Sequence, residues 1–139
     1  SAASTFVEVS SMKNGDYAGM IALQKKYAFV GVKKEKNRYT IVMINGEKDE
    51  PVEVASFPLE QNGVHLKIEC DFKNRTDKAY CFYSLDGVNW TAIGNTLQMA
   101  YTLPHFMGYR FGLIHYSTKE TGGYVDFDYY RIEDRITGK

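Results

Sequence analysis

The sequence predicts an all-β chain, an antiparallel two-sheet sandwich. Short runs rich in β-branched and aromatic residues recur at regular spacing. Clusters of Gly, Asn, Asp and Lys separate them, and no segment carries the apolar period of an amphipathic helix. Regular strand spacing with such punctuation is the pattern of sandwiches and barrels.

In order, strands are expected near 5–10, 18–23, 27–34, 38–45, 52–57, 64–72, 79–85, 90–94, 109–117 and 124–133. Turns fall at "KNGD" (13–16), "KKEKN" (33–37), "NGEKDEP" (45–51), "QNG" (61–63), "KNRTDK" (73–78) and "DG" (86–87). The longest segment without a clear strand pattern is "NTLQMAYTLPHFMG", roughly 95–108, and a loop of that length is often functional.

Parity tests the middle hairpin. Leu66, Ile68, Cys70 and Phe72 share one face of "HLKIECDF"; Ala79, Cys81, Tyr83 and Leu85 share one face of "AYCFYSL". With "KNRTDK" as the loop, Phe72 sits opposite Ala79 and Cys70 opposite Cys81, so both apolar faces fall on one side. Lys67, Glu69 and Asp71 then point towards solvent or a second surface. The two cysteines become neighbours, read as reduced core thiols rather than a geometrically demanding cross-strand disulfide. Val125, Phe127 and Tyr129 are expected in the core with Leu66, Ile68, Phe111 and Leu113.

The Asp-Gly of "DGVNW" (86–90) is a strong short-range hairpin signal, because Gly accepts the positive φ of a tight turn. Trp90, the lone tryptophan, follows it. Packing on the hairpin is the plain reading; a sugar platform is the other.

The 139 residues suit one domain with a core. A net charge of zero gives no electrostatic reason to expect nucleic acid or an acidic membrane as partner. No apolar run approaches the roughly 18 residues of a membrane span, and "SAAST" has no signal-peptide pattern. The compartment stays open. The 11 tyrosines and 8 phenylalanines are more than a core alone usually uses, and suit half-buried sheet faces or wet binding surfaces.

Chemistry is sparse. His65, His105 and His115 have no zinc-site spacing, and no nucleophile elbow, phosphate loop or dinucleotide fingerprint occurs. No oxygen-rich cluster suggests calcium, so no metal or cofactor is expected. Glycosidase chemistry needs two carboxylates across a sugar. Asp126 and Asp128 of "YVDFDYYRI" share a face by parity. If that strand pairs with "GYRFGLIHYS", Arg110, Ile114 and Tyr116 join them as a salt-bridged surface ladder, and no catalytic residue is assigned. "SLDGVNW" is similar to the sialidase Asp-box but one residue shorter, implying only a shared turn.

The pieces "MKNGDYAGMIALQKKYAFVGVKK", "YSLDGVNW", "YTLPHFMGYRFGL" and "TKETGGYVDFDYYRI" closely resemble the C-terminal sandwich of family 43 glycoside hydrolases, the β-xylosidase and α-arabinofuranosidase group. The resemblance covers nearly the whole chain. It implies a concanavalin A-like jelly roll whose catalytic carboxylates lie elsewhere, on an N-terminal five-bladed propeller. The implied partners are that propeller and a xylan-type oligosaccharide or polysaccharide. In some members a sandwich loop helps close the substrate pocket. Two roles stay open: a carbohydrate-binding accessory module, or a structural domain that packs on the propeller without its own ligand. The candidate ligand residues are Trp90, Tyr101, His105, Phe106, Arg110 and Tyr116, where a long loop and the Arg110 face gather aromatics with polar groups. The family sandwich usually begins earlier, with several strands ahead of "FVEVSSM". A jelly roll lacking its first strands is therefore expected. The opened edge would be completed by a second chain or an oligomer, or the 139 residues close up alone.

Overall fold

A computed structural model describes residues 2–23, 27–46, 52–71, 78–98, 110–118 and 122–133. They form ten strands: β1 (Ala2–Glu8), β2 (Asp16–Leu23), β3 (Tyr27–Glu35), β4 (Arg38–Asn45), β5 (Val52–Leu59), β6 (Gly63–Asp71), β7 (Lys78–Ser84), β8 (Thr91–Gln98), β9 (Arg110–Ser117) and β10 (Asp126–Glu133). Sheet A runs β10-β1-β6-β7-β8 and sheet B runs β5-β4-β3-β2-β9. Every pairing is antiparallel. No helix of the described residues is long and apolar enough to cross a membrane.

Alternation builds the core. Sheet A sends in Ala3, Val7, Val64, Leu66, Ile68, Ala79, Cys81 and Ile93; sheet B answers with Ala18, Met20, Ala22, Ala28, Val30, Val32, Ile41 and Met43. Leu66, Ile68, Met20 and Met43 are fully buried, each side chain contributing about 1.5–3 kcal/mol. Leu113, Val125 and Phe127 pack on this core while half-buried. The side chains of Phe111 and Tyr129 lie outside the described residues.

The hairpin between β6 and β7 forms, with a register two residues from the expected one. Cys70 pairs with Ala79, Ile68 with Cys81 and Asp71 with Lys78. A slip of two keeps every side chain on its face, so parity alone could not tell the two registers apart. Cys81 is buried, but it is not directly opposite Cys70.

The Asp-Gly turn also differs. β7 and β8 do pair, with Tyr83 opposite Thr91, but the connection spans 85–90 rather than two residues. Asp86 organises it. Its carboxylate accepts from the amides of Val88 and Asn89 at 2.8 Å each and from Ser84 Oγ at 3.0 Å, and Gly87 adopts φ 82°. The side chain stabilises a longer turn than the dipeptide signal implies. β8 extends to Gln98, so the start of the supposed long loop is strand; residues 99–109 lie outside the described set.

The largest correction concerns the last strand. β10 pairs with β1 in sheet A, whereas β9 pairs with β2 in sheet B. The expected ladder of Asp126 and Asp128 with Arg110 and Tyr116 therefore does not form. Past Ser117 the chain crosses the sandwich: Thr118 N donates to Gly15 O at 3.0 Å and Tyr124 N to Ser11 O at 3.2 Å, carrying it over the β1–β2 connection. A bulge opposite Phe6 and Val7 then breaks the parity of β10: Phe127 pairs with Val7, but Tyr129 pairs with Phe6. Nor is the first strand an open edge, because β10 and β6 flank β1 on both sides.

Candidate functional site

Parity makes the outer face of sheet B aromatic. Because Ala18, Met20 and Ala22 face the core, β2 turns Tyr17, Gly19 and Ile21 outward, and β3 likewise presents Tyr27, Phe29, Gly31 and Lys33. Register aligns these into rows across the sheet. One reads Thr40, Lys33, Tyr17, Tyr116; the next reads Val42, Gly31, Gly19, Ile114. Phe29 lies over Gly31, where a Cβ would meet its ring. Phe29, Val42 and Ile44 form a second buried apolar cluster with Tyr17, Tyr27 and Ile114 against it. This outer face is thus an apolar floor with a tyrosine rim, not a polar solvent face.

Tyr17 and Tyr116 stack with ring centroids 5.0 Å apart and planes 3° from parallel. β9 is the edge strand, so one face of the Tyr116 ring meets Tyr17 and the other looks to the open side of the sheet; the residue is 40% exposed. Burial, with the Tyr17 and Tyr27 hydroxyls nearby, pushes the Tyr116 phenol up to about 12. Burial also raises Tyr17, with Glu35 and Glu53 adding to the shift and Lys33 opposing it. Both hydroxyls therefore stay protonated donors at neutral pH.

Lys33 reaches across β4 to Glu53, with its Nζ 3.0 and 3.1 Å from the two carboxylate oxygens. Burial alone would lower the Lys33 ammonium, but the Glu53 hydrogen bond and the Glu53 and Glu35 charges outweigh it and hold it above its usual value. Beside this pair an open groove of ≈ 560 Å³ is lined by Lys33, Glu35, Lys36, Arg38, Thr40 and Ser56. Flat rings beside fixed donors and acceptors can hold a sugar: the rings take its apolar face and the polar groups its hydroxyls.

Of the six residues singled out from sequence, Tyr116 and Trp90 have described side chains, and these two lie on opposite sides of the sandwich. Tyr116 belongs to this platform. Arg110 opens the same strand, its backbone paired with Leu23, and its side chain lies outside the described residues. Tyr101, His105 and Phe106 lie outside them entirely. Trp90 is on the opposite side of the sandwich, half-buried on the outer face of sheet A. There Lys67 Nζ sits 4.4 Å from the centre of its ring and His65 meets it edge-on at 6.3 Å. Lys67 and Glu69, which parity turned away from the core, are only 5% and 0% exposed and lie 3.4 Å apart. The surface they meet is protein, not solvent.

Asp126 and Asp128 are exposed on β10, and Asp126 is the register partner of Glu8. His115 faces inward instead. Its Nε2 is 3.1 Å from Oδ2 of the fully buried Asp16, which also accepts from Lys13 N at 2.9 Å. No group of three or more His, Cys, Asp or Glu among the described residues could hold a metal ion. Sequence reading missed Tyr17, Phe29 and Lys33. The alternation in "DYAGMIAL" and "YAFVGVKK" carried a signal for them, since it separates the tyrosine face from the alanine–valine face.

Two five-stranded antiparallel sheets packed face to face, with an aromatic face beside a charged groove, define a jelly-roll module of the concanavalin A-like class. Residues 1–133 match the β-xylosidase C-terminal concanavalin A-like domain family, GH43_C2, and the chain belongs to that family. It is similar to a β-xylosidase of Formosa agariphila, with 28% identity over 129 residues covering 91% of this chain and 20% of that protein. A bifunctional GH43-CE protein of Bacteroides eggerthii superposes with a TM-score of 0.91 at 57% identity, over 98% of this chain and 18% of its own. A GH43 glycoside hydrolase engineered for both endo-xylanase and exo-arabinofuranosidase activity gives 0.84 at 26% identity, over 94% of this chain and 28% of its own. The chain thus spans about a fifth of the β-xylosidase, and little more than a quarter at most of these two solved relatives.

Proposed function

We propose that the chain is a non-catalytic accessory module of a xylan-degrading glycoside hydrolase, and that the outer face of sheet B holds a xylan-type oligosaccharide. One observation carries this reading: Tyr116, on edge strand β9, stacks on Tyr17, whose register partner Lys33 is ion-paired with Glu53. An exposed ring face stacks on a sugar while the ion pair supplies both a donor and an acceptor. The family and the xylan-active relatives supply the ligand class. The catalytic carboxylates belong to the parent enzyme's N-terminal propeller. Calorimetric titration of xylohexaose tests this. Heat is expected at millimolar ligand, with Tyr116→Ala weakening binding at least about tenfold, or 1.4 kcal/mol, and Trp90→Ala leaving it unchanged. Absence of heat and of any spectral change sinks the reading.

A second reading has its own support. Phe57 contacts Tyr83 at a ring distance of 5.9 Å, and Leu85 and Val88 follow in the next connection. Phe57, Leu85 and Val88 are 42%, 52% and 77% exposed. An apolar corner of this kind suits packing against the catalytic propeller, and the two roles use different parts of the sandwich. Binding of a hydrophobic dye to the separate chain, quenched in the intact parent enzyme, is the expected sign.

A further inference from the structure

We propose that the groove at the β3–β4 end of this face selects an acidic substituent, the carboxylate of a hexuronate branch on a xylan-type chain; this rests on the binding reading above. Lys33, Lys36 and Arg38 meet two carboxylates, Glu35 and Glu53, so the groove is net positive on a chain whose net charge is zero. Lys33 is committed to Glu53. Among the described residues neither Lys36 nor Arg38 belongs to an ion pair of the kind that joins Lys33 to Glu53. Both are exposed. Arg38 offers a planar fork that matches a carboxylate, and Lys36 a mobile point charge.

The turn that carries them is built for position at a cost in strain. Glu35 pairs with Arg38, which leaves Lys36 and Asn37 as a two-residue hairpin loop with φ of 50° and 61°. This left-handed geometry favours Asn or Gly at both places. Asn37 conforms and Lys36 does not. Asn14 of the β1–β2 connection clamps the turn, accepting from Asn37 N at 2.9 Å and donating to its side chain at 3.3 Å. A lysine kept where glycine would relieve the backbone is an observed outlier at a candidate site.

The groove also continues the tyrosine platform. Lys33 lines the groove and is the register partner of Tyr17, which pairs in turn with Tyr116. From β9 to β4 is three strand spacings, roughly 14 Å, the reach of a short oligosaccharide rather than a single sugar. Main-chain sugars would lie over the tyrosines, with Thr40 and Ser56 offering hydroxyl partners. The branch carboxylate would reach Arg38 and Lys36.

The test compares xylotetraose with the same oligosaccharide bearing a glucuronic acid branch, at low and high salt. The acidic ligand should bind about tenfold more tightly, as one charge-assisted contact allows, and lose most of that advantage at high salt. Lys36→Gln with Arg38→Gln should equalise the two ligands, removing the preference for the acidic one. Lys36→Gly should keep or raise the melting temperature while reducing the acidic preference. Equal binding of both ligands overturns this inference and leaves the binding reading standing; no binding of either overturns both. An acidic preference that survives the double variant refutes the assigned residues. Equally tight binding of oligogalacturonate, which contains no xylose, would reveal a general polyanion patch and overturn the proposal.

Discussion

Asp86 is exposed, yet four donors converge on it: the amides of Val88 and Asn89, the Asn89 side chain and Ser84 Oγ. The backbone bonds to Asn89 and Val88, followed by those side-chain bonds, hold its carboxyl well below the usual range. A carboxyl depressed on folding stabilises fully above its unfolded value, about pH 4, and loses that contribution as pH falls through the folded pKa. Asp86→Asn should therefore flatten the acid limb: its melting temperature should fall less than the parent's below about pH 4. Equal slopes would deny the carboxylate this role. Asp16 is the buried counterpart. Burial pushes its carboxyl up, but the Lys13 amide, His115 and Ser117 outweigh it and lower it. A Cβ on Gly123 would run into Asp16 Oδ2 and stand 3.0 Å from Lys13 N. Gly123→Ala should cost about 1–3 kcal/mol in a denaturant melt.

Strand positions were legible because period-two alternation and turn residues mark them directly, and nine of the ten expected strands fall within about three residues of the observed ends, the exception being β8, which runs on to Gln98. Pairing was less legible. Cys70 meets Ala79 rather than Cys81 because a slip of two residues preserves both faces. The partner of β10 could not be read from its neighbour in sequence, since the chain changes sheet after Ser117. The tyrosine platform was hidden for the same reason: Tyr17 and Tyr116 lie at opposite ends of the sequence and meet only through the β2–β9 pairing. Trp90 stood out by its type, although its surroundings are a packed Lys67–His65 cluster. Burial grades the elements. Leu66→Ala, at a fully buried position of β6, should cost 2–5 kcal/mol. Phe127→Ala, half-buried on edge strand β10, should cost less than its ring size suggests. Chemical unfolding of both variants checks the order.

At the scale of the whole molecule, the two outer faces of the sandwich differ in character. Sheet A covers its outer side with the Trp90–Lys67–Glu69–Phe82 group. Sheet B leaves a tyrosine platform open beside a cationic groove. The chain spans only a fifth of its β-xylosidase relative, and the proposed function is that sheet B holds a ligand in support of an active site housed elsewhere in the parent enzyme. The most direct test of that claim is a nuclear magnetic resonance titration of the chain with xylohexaose, with assigned tyrosine ring and backbone signals. Shifts should cluster on Tyr17, Tyr116, Lys33 and Thr40, saturate with one affinity, and vanish in Tyr116→Ala. Shifts centred on Trp90 and His65, or none at millimolar ligand, would contradict the account.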